Sequence, residues 1–437
     1  MAALDKFARL AALKPVRVAP ARPSELRAPQ EEDALARLLG AGIGRNHFGE
    51  HVVVRNWYST PAFDEPSPLT LDLLSRHRDD GISIRTRCVL ADPAKWLFLD
   101  TETTGLAGGT GTYAFLVGLA WWDAGGLNVE QFLMRDFSEE HSVLQELAQR
   151  IAERPALITF NGKTFDWPLL ENRFAMTRSI PTPRLAAHLD LLHPARSLWK
   201  FRLGSVRLSD LERHVLDPAR LGWTRDDDIR SAEIPQFYFD YLRGGPPGPL
   251  AGVVRHNQMD LRGLAALFGK IDALLSSGNA ADICEDSLDL FGLSRFLNHR
   301  GEADRAQFAC AQALDSGLPA EFRPKARREL ALHARRRGDH ERAAALWQEI
   351  TADPEHGIYA CEQLAIHYER RVRNYERAAE FVELALATIR RRRSNGDGPL
   401  SSTHGARLEK SLQKRRARLQ NRIAGAQPSK QMFARCG

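Results

Sequence analysis

Between Trp96 and Met134 the chain carries three apolar segments, WLFLD, AFLVGLAWW and LNVEQFLM, parted by Gly-rich turns. Short apolar runs bounded in this way read as strands, and three in succession read as an antiparallel meander. The rhythm then changes. Residues 138–153 have helical spacing, with Ser138 expected as the N-cap and Glu139 and Glu140 in the first turn. ALITF reads as a buried strand, LLENRFAM as part of a helix and HLDLL as another strand, and after the turn-rich RGGPPGP, residues 250–275 read as one long helix. A meander followed by strand–helix alternation restricts this stretch to an α/β mixed sheet with flanking helices. Upstream, a short helix is expected over 33–39, and strands at 52–54 and 83–89.

Beyond residue 284 the strand signals stop. The pieces GEADRA, GDHERA and RNYERA begin at Gly301, Gly338 and Arg373, and each follows another helical segment. Paired helices recurring at about 34 residues are the pattern of tetratricopeptide-type repeats, in which neighbouring hairpins bury a shared core. The expected organisation is a flexible lead-in with a short helix over 1–44, the mixed sheet over 45–275, helical repeats over 284–390 and a basic tail over 391–437. A chain of 437 residues, 43% hydrophobic and 27% charged, has enough apolar material for two or three such units.

The net charge of +6 is concentrated at the end: from Arg390 onward 13 Lys or Arg face only Asp397 and Glu409. Such a run grips phosphate by counterion release or is a solvated end. Cys88, Cys284, Cys310, Cys361 and Cys436 are scattered without a C-x-x-C pair, which argues against a disulfide framework or zinc site and for a reducing cytoplasm. Asp5, Lys6 and Arg9 interrupt any secretory apolar region at the start. Of the uncharged run 105–122 only the part from Tyr113 is densely apolar, which is too short to span a bilayer, so no membrane segment is expected.

The first strand ends in FLDTETTGL. Alternate residues of a strand share a face, so Asp100 and Glu102 point the same way, and two like charges so placed call for a cation such as magnesium or manganese. The tripeptide alone has little weight, because D-x-E recurs at Asp210/Glu212, Asp339/Glu341 and Asp353/Glu355. Downstream, Asp166 in FNGKTFDWP is also a good helix N-cap, and His256 and Asp260 lie four apart on one helical face. Arg196, Lys200, Arg202 and Arg207 interleave with Trp199 and Phe201, a composition suited to a single strand stacked on aromatics. GLAGGTGT lacks the Lys-Ser/Thr of a nucleotide-hydrolase phosphate loop, which excludes that chemistry.

Taken in order, D-T-E-T-T-G-L, N-x-x-x-F-D and H-N-x-x-D after a meander resemble the DnaQ-like, ribonuclease-H-like 3′–5′ exonuclease superfamily. HLDLLH, RLSDLERHVL, DDDIRSAEIPQFYFDYLRGG and RHNQMD, joined to tetratricopeptide-like repeats, resemble the bacterial YprB-like family over roughly residues 45 to 385. The resemblance implies that Asp100, Glu102, Asp166 and Asp260 hold two Mg²⁺ or Mn²⁺ ions, with Asp100 bridging both. It implies His256 as general base, although the spacing to Asp260 is four residues where members with such a histidine usually have five. Thr103, Thr104, Gly105 and Leu106 would meet a terminal nucleotide, with Asn161, Phe165, Trp199, Lys200 and Arg202 as further substrate contacts. Asp190 is expected to cap or orient. The expected function is metal-dependent hydrolysis of single-stranded DNA or RNA ends, with a protein partner on the repeats. The alternative is a catalytically weak nucleic-acid-binding or scaffold protein that works through its helical repeats.

Overall fold

The computed structural model describes residues 34–59, 68–75, 84–105, 111–123, 125–216, 222–279, 282–284, 286–394 and 403–426. Helix α1 (Ala34–Leu39) leads into a hairpin of β1 (Gly42–Asn46) and β2 (Gly49–Ser59). Helices α2 (Pro68–Ser75) and α3 (Ile84–Leu90) precede the meander of β3 (Trp96–Thr103), β4 (Ala114–Asp123) and β5 (Gly126–Leu133). Then follow α4 (Glu140–Glu153), β6 (Ala156–Thr159), α5 (Asp166–Thr177) and β7 (Ala187–Asp190). The seven strands form one sheet ordered β1-β2-β5-β4-β3-β6-β7, antiparallel except that β6 runs parallel to β3 and β7 parallel to β6.

Strand β3 lies inside this sheet and is covered on both faces. Trp96 and Phe98 enter one core cluster, and Leu97 and Leu99 the other. That double burial is why WLFL is uninterrupted rather than alternating with polar residues. On the Trp96 side lie α6 (Leu192–Leu203), α7 (Leu208–His214) and most of α9 (Gly248–Ser276), while α8 (Ile234–Leu242) and the first turns of α9 join the other cluster. Phe268 of α9 meets Trp96 edge-on, with ring centroids 4.8 Å apart, which fixes the long helix over β3.

Two local expectations are corrected. The strand expected at 83–89 is helix α3 over Ile84–Leu90, because a short run of alternating residues also fits two helical turns. Leu90 instead roofs the core, its carbonyl accepting the Trp96 indole N–H at 2.8 Å. The cap before α4 is Asp136 rather than Ser138: its Oδ1 accepts the Ser138 N–H at 2.8 Å and opens a 3₁₀ turn over Phe137–Glu139.

Past residue 286 the described residues are helical: α10 (Ser287–His299), α11 (Ala303–Asp315), α12 (Arg323–Arg336), α13 (His340–Gln348), α14 (Gly357–His367), α15 (Tyr375–Ser394) and α16 (Thr403–Ala426). The first six pack as consecutive pairs, α10 with α11, α12 with α13 and α14 with α15. The recurring pieces open the second helix of each pair, and their shared alanines, Ala306, Ala343 and Ala378, are buried between helices. The first pair is part of the sheet's own core: Phe291 and Leu297 join Leu198 and Trp199 in one cluster. Gly292 lets α10 touch α6 backbone to backbone, since a Cβ there would lie 2.1 Å from the Leu198 carbonyl oxygen.

The basic end also departs from a solvated tail. Helix α16 buries Leu412 and Leu419 in the cluster that holds α15, and Arg415 and Arg418 pair with the buried Glu369. The lead-in up to residue 33 and the end from 427 lie outside the described residues. No described helix is long and apolar enough to cross a membrane.

Candidate active site

Asp100 and Glu102 continue the Trp96–Phe98 face of β3, so they point towards α9. One rung of the sheet prepares the place. Asp100 is opposite Gly118 of β4, and Gly118 is opposite Gln131 of β5. Asn257 of α9 lies over that glycine, where a Cβ would come within 2.0 Å of its Oδ1. From there its Nδ2 donates to Asp100 Oδ2 at 2.7 Å, while its Oδ1 accepts from Gln131 Nε2 at 2.8 Å. Gln258 Nε2 closes the row by donating to Gln131 Oε1 at 2.9 Å. The amide row fixes which oxygen of Asp100 is committed and leaves the other open.

The four expected carboxylates are brought together from three elements: Asp100 and Glu102 from β3, Asp166 from the start of α5 and Asp260 from α9. Burial first, then the charges of Asp260, Glu102 and Asp166, push Asp100 well above the usual carboxylate range. Glu102 is raised in the same way, by burial and then by Asp260 and Asp166. Asp166 is pushed up to about 6 by burial, against the pull of the Thr101 hydroxyl that donates to its Oδ1 at 2.5 Å. The helix begins at Asp166 itself and its side chain is not the cap.

Asp190 has the orienting duty expected of it. It accepts the N–H groups of Asn161 (2.8 Å), Lys163 (3.1 Å) and Leu192 (3.1 Å), and so ties down the loop that presents Asp166. Asn161 takes a left-handed φ of 69° there. The ring of Phe165 is exposed beside Asp166. Thr104 is fastened to Tyr113 through its N–H and its hydroxyl, and the Thr103 hydroxyl donates to the Gly105 carbonyl at 2.9 Å. Leu106 lies outside the described residues.

His256 and Asp260 share one face of α9, with Nε2 to Oδ2 at 3.6 Å. The other imidazole nitrogen, Nδ1, lies 2.8 Å from Asp228 Oδ1. A carboxylate only accepts, so Nδ1 carries a proton; Nε2 faces Asp260 and Ser231 Oγ, the latter at 3.5 Å. Arg225 sits at the centre of this acid group, meeting Glu212 at 2.5 Å, Asp228 at 2.9 Å and Asp260 at 2.5 Å. Although burial opposes its charge, hydrogen bonds to Glu212 and the charge of Asp260 hold the guanidinium well above its ordinary value. Gly263 admits Glu212 to the group, for a Cβ there would lie 2.0 Å from its Oε1.

Sequence reasoning missed Arg225, Asp228 and Glu212. The acidic run Asp226–Asp228 beside an arginine is a usable signal, whereas Glu212 looks like any other surface D-x-E. Two proposed strand contacts are corrected. Trp199 is 1% exposed in the core beside α10, and Arg202 is bound to Asp289 at 2.8 Å, because α10 packs on that side of α6. Phe201 lies against Phe291 and Phe322, and only Lys200 and Arg196 of this group remain exposed on α6.

The donor set consists of hard oxygens whose charges oppose one another, which suits magnesium or manganese. As the side chains stand, no three acids, histidines or cysteines among the described residues surround a single point fit for a metal ion. Around Asp260 the compensating charge is that of Arg225.

Residues 97–271 match the family model of the RNase_H superfamily. Over 293 residues, 66% of this chain and 68% of the other, the protein is 29% identical to the uncharacterized protein YprB of Bacillus subtilis (strain 168). The family B DNA polymerase from the hyperthermophilic archaeon Pyrobaculum calidifontis aligns in structure at a TM-score of 0.34 and 14% identity, over 56% of this chain and 30% of the polymerase, so the chain spans under a third of that protein. The mixed sheet and flanking helices that carry the site are ribonuclease-H-like, and a helical region follows them.

Proposed function

We propose that the protein is a YprB-like, metal-dependent nuclease that removes nucleotides from the 3′ ends of single-stranded DNA or RNA. The observation that carries this reading is the meeting of Asp100, Glu102, Asp166 and Asp260 at one end of the sheet, where each of the first three is shifted upward. Those four side chains would hold Mg²⁺ or Mn²⁺, which lowers the pKa of water and offsets charge on the departing oxygen when bound there. Asn257 fixes the rotamer of Asp100, and Asp228 fixes the tautomer of His256 so that Nε2 takes the proton of the attacking water. Phe165 offers an exposed ring for the terminal base. The paired helices act as tetratricopeptide-like repeats for a protein partner, and the free thiols at Cys88, Cys284, Cys310 and Cys361 fit a reducing cytoplasm.

The test is cleavage of 3′- and 5′-labelled DNA and RNA strands with and without Mg²⁺ or Mn²⁺. Asp100→Ala and Glu102→Ala are expected to abolish cleavage, and Mg²⁺ to raise the melting temperature of the wild type but not of Asp100→Ala. Near-wild-type cleavage by both variants in Mn²⁺ would sink the assignment. A second reading rests on the Arg225–Asp260 pair, which neutralises one of the acids: a ribonuclease-H-like module that binds nucleic acid without cutting it. Strand binding without metal-dependent cleavage at any concentration of Mg²⁺ or Mn²⁺ would select it.

A further inference from the structure

Beside the carboxylates, at the outer edge of β7, is a cavity of about 560 Å³ that no step above uses. It runs along β7 itself, Ala187 to Asp190, and continues to Lys163 in the loop after β6 and to Leu191 and Pro194 after β7. Its size is in the range of sites for small ligands, about 300–1,000 Å³.

The lining is chemically mixed. Leu74, Leu90, Leu189 and Pro194 give it apolar surface, and Lys163 and Arg300, close enough to feel each other's charge, give it basic groups. Asp190 is the one acid in the lining, and its oxygens already accept three backbone N–H groups. Burial lowers the pKa of Lys163, the Asp190 carboxylate raises it in part, and the nearby Arg300 lowers it again; none of the ion pairs found among the described residues includes the Lys163 ammonium. His188, at the floor, is pushed down to about 4 by burial and then by Lys163, so it stands neutral with its Nε2 2.9 Å from Thr159 Oγ1. A half-buried lysine with an arginine near it favours a dianionic group, and the leucine and proline side chains favour a flat apolar body.

We propose that this cavity binds a nucleoside monophosphate, with the phosphate between Lys163 and Arg300 and the base against Leu90 and Pro194. The choice of a nucleotide over other anions rests on the nuclease reading: Lys163 belongs to the short loop that ends in Asp166, so a nucleotide here is one step away from the carboxylates. Occupancy would report on that loop, and the site serves either the released product or the next unit of the strand.

The experiment is calorimetric titration of the full-length protein with AMP, and separately with inorganic phosphate, in EDTA so that the carboxylate site takes no metal. AMP is expected to bind the wild type and Asp100→Asn equally, at least tenfold more weakly to Lys163→Met, and more tightly than phosphate. In the wild type, hydrogen exchange in the segment 186–194 should slow on addition of AMP, a readout that does not depend on how Lys163→Met folds. Absence of AMP binding, wild-type affinity in a folded Lys163→Met, or phosphate binding as tight as AMP would each overturn the proposal. Cleavage of strands without AMP binding removes this inference alone, whereas AMP binding without cleavage removes the nuclease reading and leaves an anionic-ligand site.

Discussion

His256 stands between two acids with different duties, since Asp228 holds Nδ1 and Asp260 faces Nε2. His256→Ala is therefore expected to lower turnover by about 10²–10⁴ while metal still raises the melting temperature. Asp228→Asn should lower kcat and leave KM unchanged, because it disturbs the tautomer and aim of the ring and the Arg225 ion pair; an equal loss in KM would mean that Asp228 touches substrate. At this scale the sequence was informative about the groups that carry charge in a fixed order, Asp100, Glu102, Asp166 and Asp260. It was silent on Glu212 and on the pairing of Arg225 with Asp260, because contacts between an arginine and acids 13 and 35 residues away leave no local pattern.

Helix α9 can place Asn257 against Asp100 only because β4 has no side chain at Gly118. Gly118→Ala should cost about 1–3 kcal/mol in a denaturant titration through overpacking, and cleavage should fall with it. Gly111→Ala, where an added Cβ meets nothing within 4 Å, is the control expected to be near neutral. Between α14 and α15, a single π turn over Tyr368–Val372 turns Glu369 towards α16. Burial raises the Glu369 carboxyl, but the Arg418 hydrogen bond and the Arg415 and Arg418 charges outweigh it and hold the group below its ordinary value of 4.5. A carboxylate lowered in the folded state stabilises fully above its unfolded value and loses that contribution as the pH falls through the folded one. Glu369→Gln should thus lower stability by about 1–3 kcal/mol at pH 7. The gap in melting temperature from wild type should narrow as the pH falls below about 4.5; a gap that stays constant to pH 3 would refute the charge pairing.

On the scale of the whole molecule, the ribonuclease-H-like core and the first helical pair share one apolar cluster, so the site and the helical region are mechanically joined through α6 and α10. The basic end is not a free arm either. Removing everything after Ser394 would uncover the residues that Leu412 and Leu419 cover and strand Glu369, so deletion confuses stability with binding. Neutralising Arg407, Lys410 and Lys414, which are exposed on α16, separates the two. Replacement of all three by Gln should weaken binding to single strands irrespective of sequence and make the salt dependence shallower by about 2 units of log–log slope. Unchanged affinity and slope would assign that face to something other than phosphate.

What the sequence determined by itself was whatever has a short-range signature: the meander, the strand–helix alternation, the paired helices past 284 and the order of the four acids. Periodicity and turn residues act within a few positions, so they are legible in one dimension. Only the tertiary structure decided the rest. It made 84–90 a helix, because packing under Trp96 outweighed a weak alternation, and it placed Trp199 in a core where its aromatic–basic neighbourhood had looked like a binding strip. It also gathered Arg225, Asp228 and His256 around Asp260, across as many as 35 residues, and set a cation beside the acid cluster. Long-range charge pairing depends on which backbones come close, and at Gly118, Gly263 and Gly292 that closeness rests on missing side chains whose meaning appears only once the partner elements are packed.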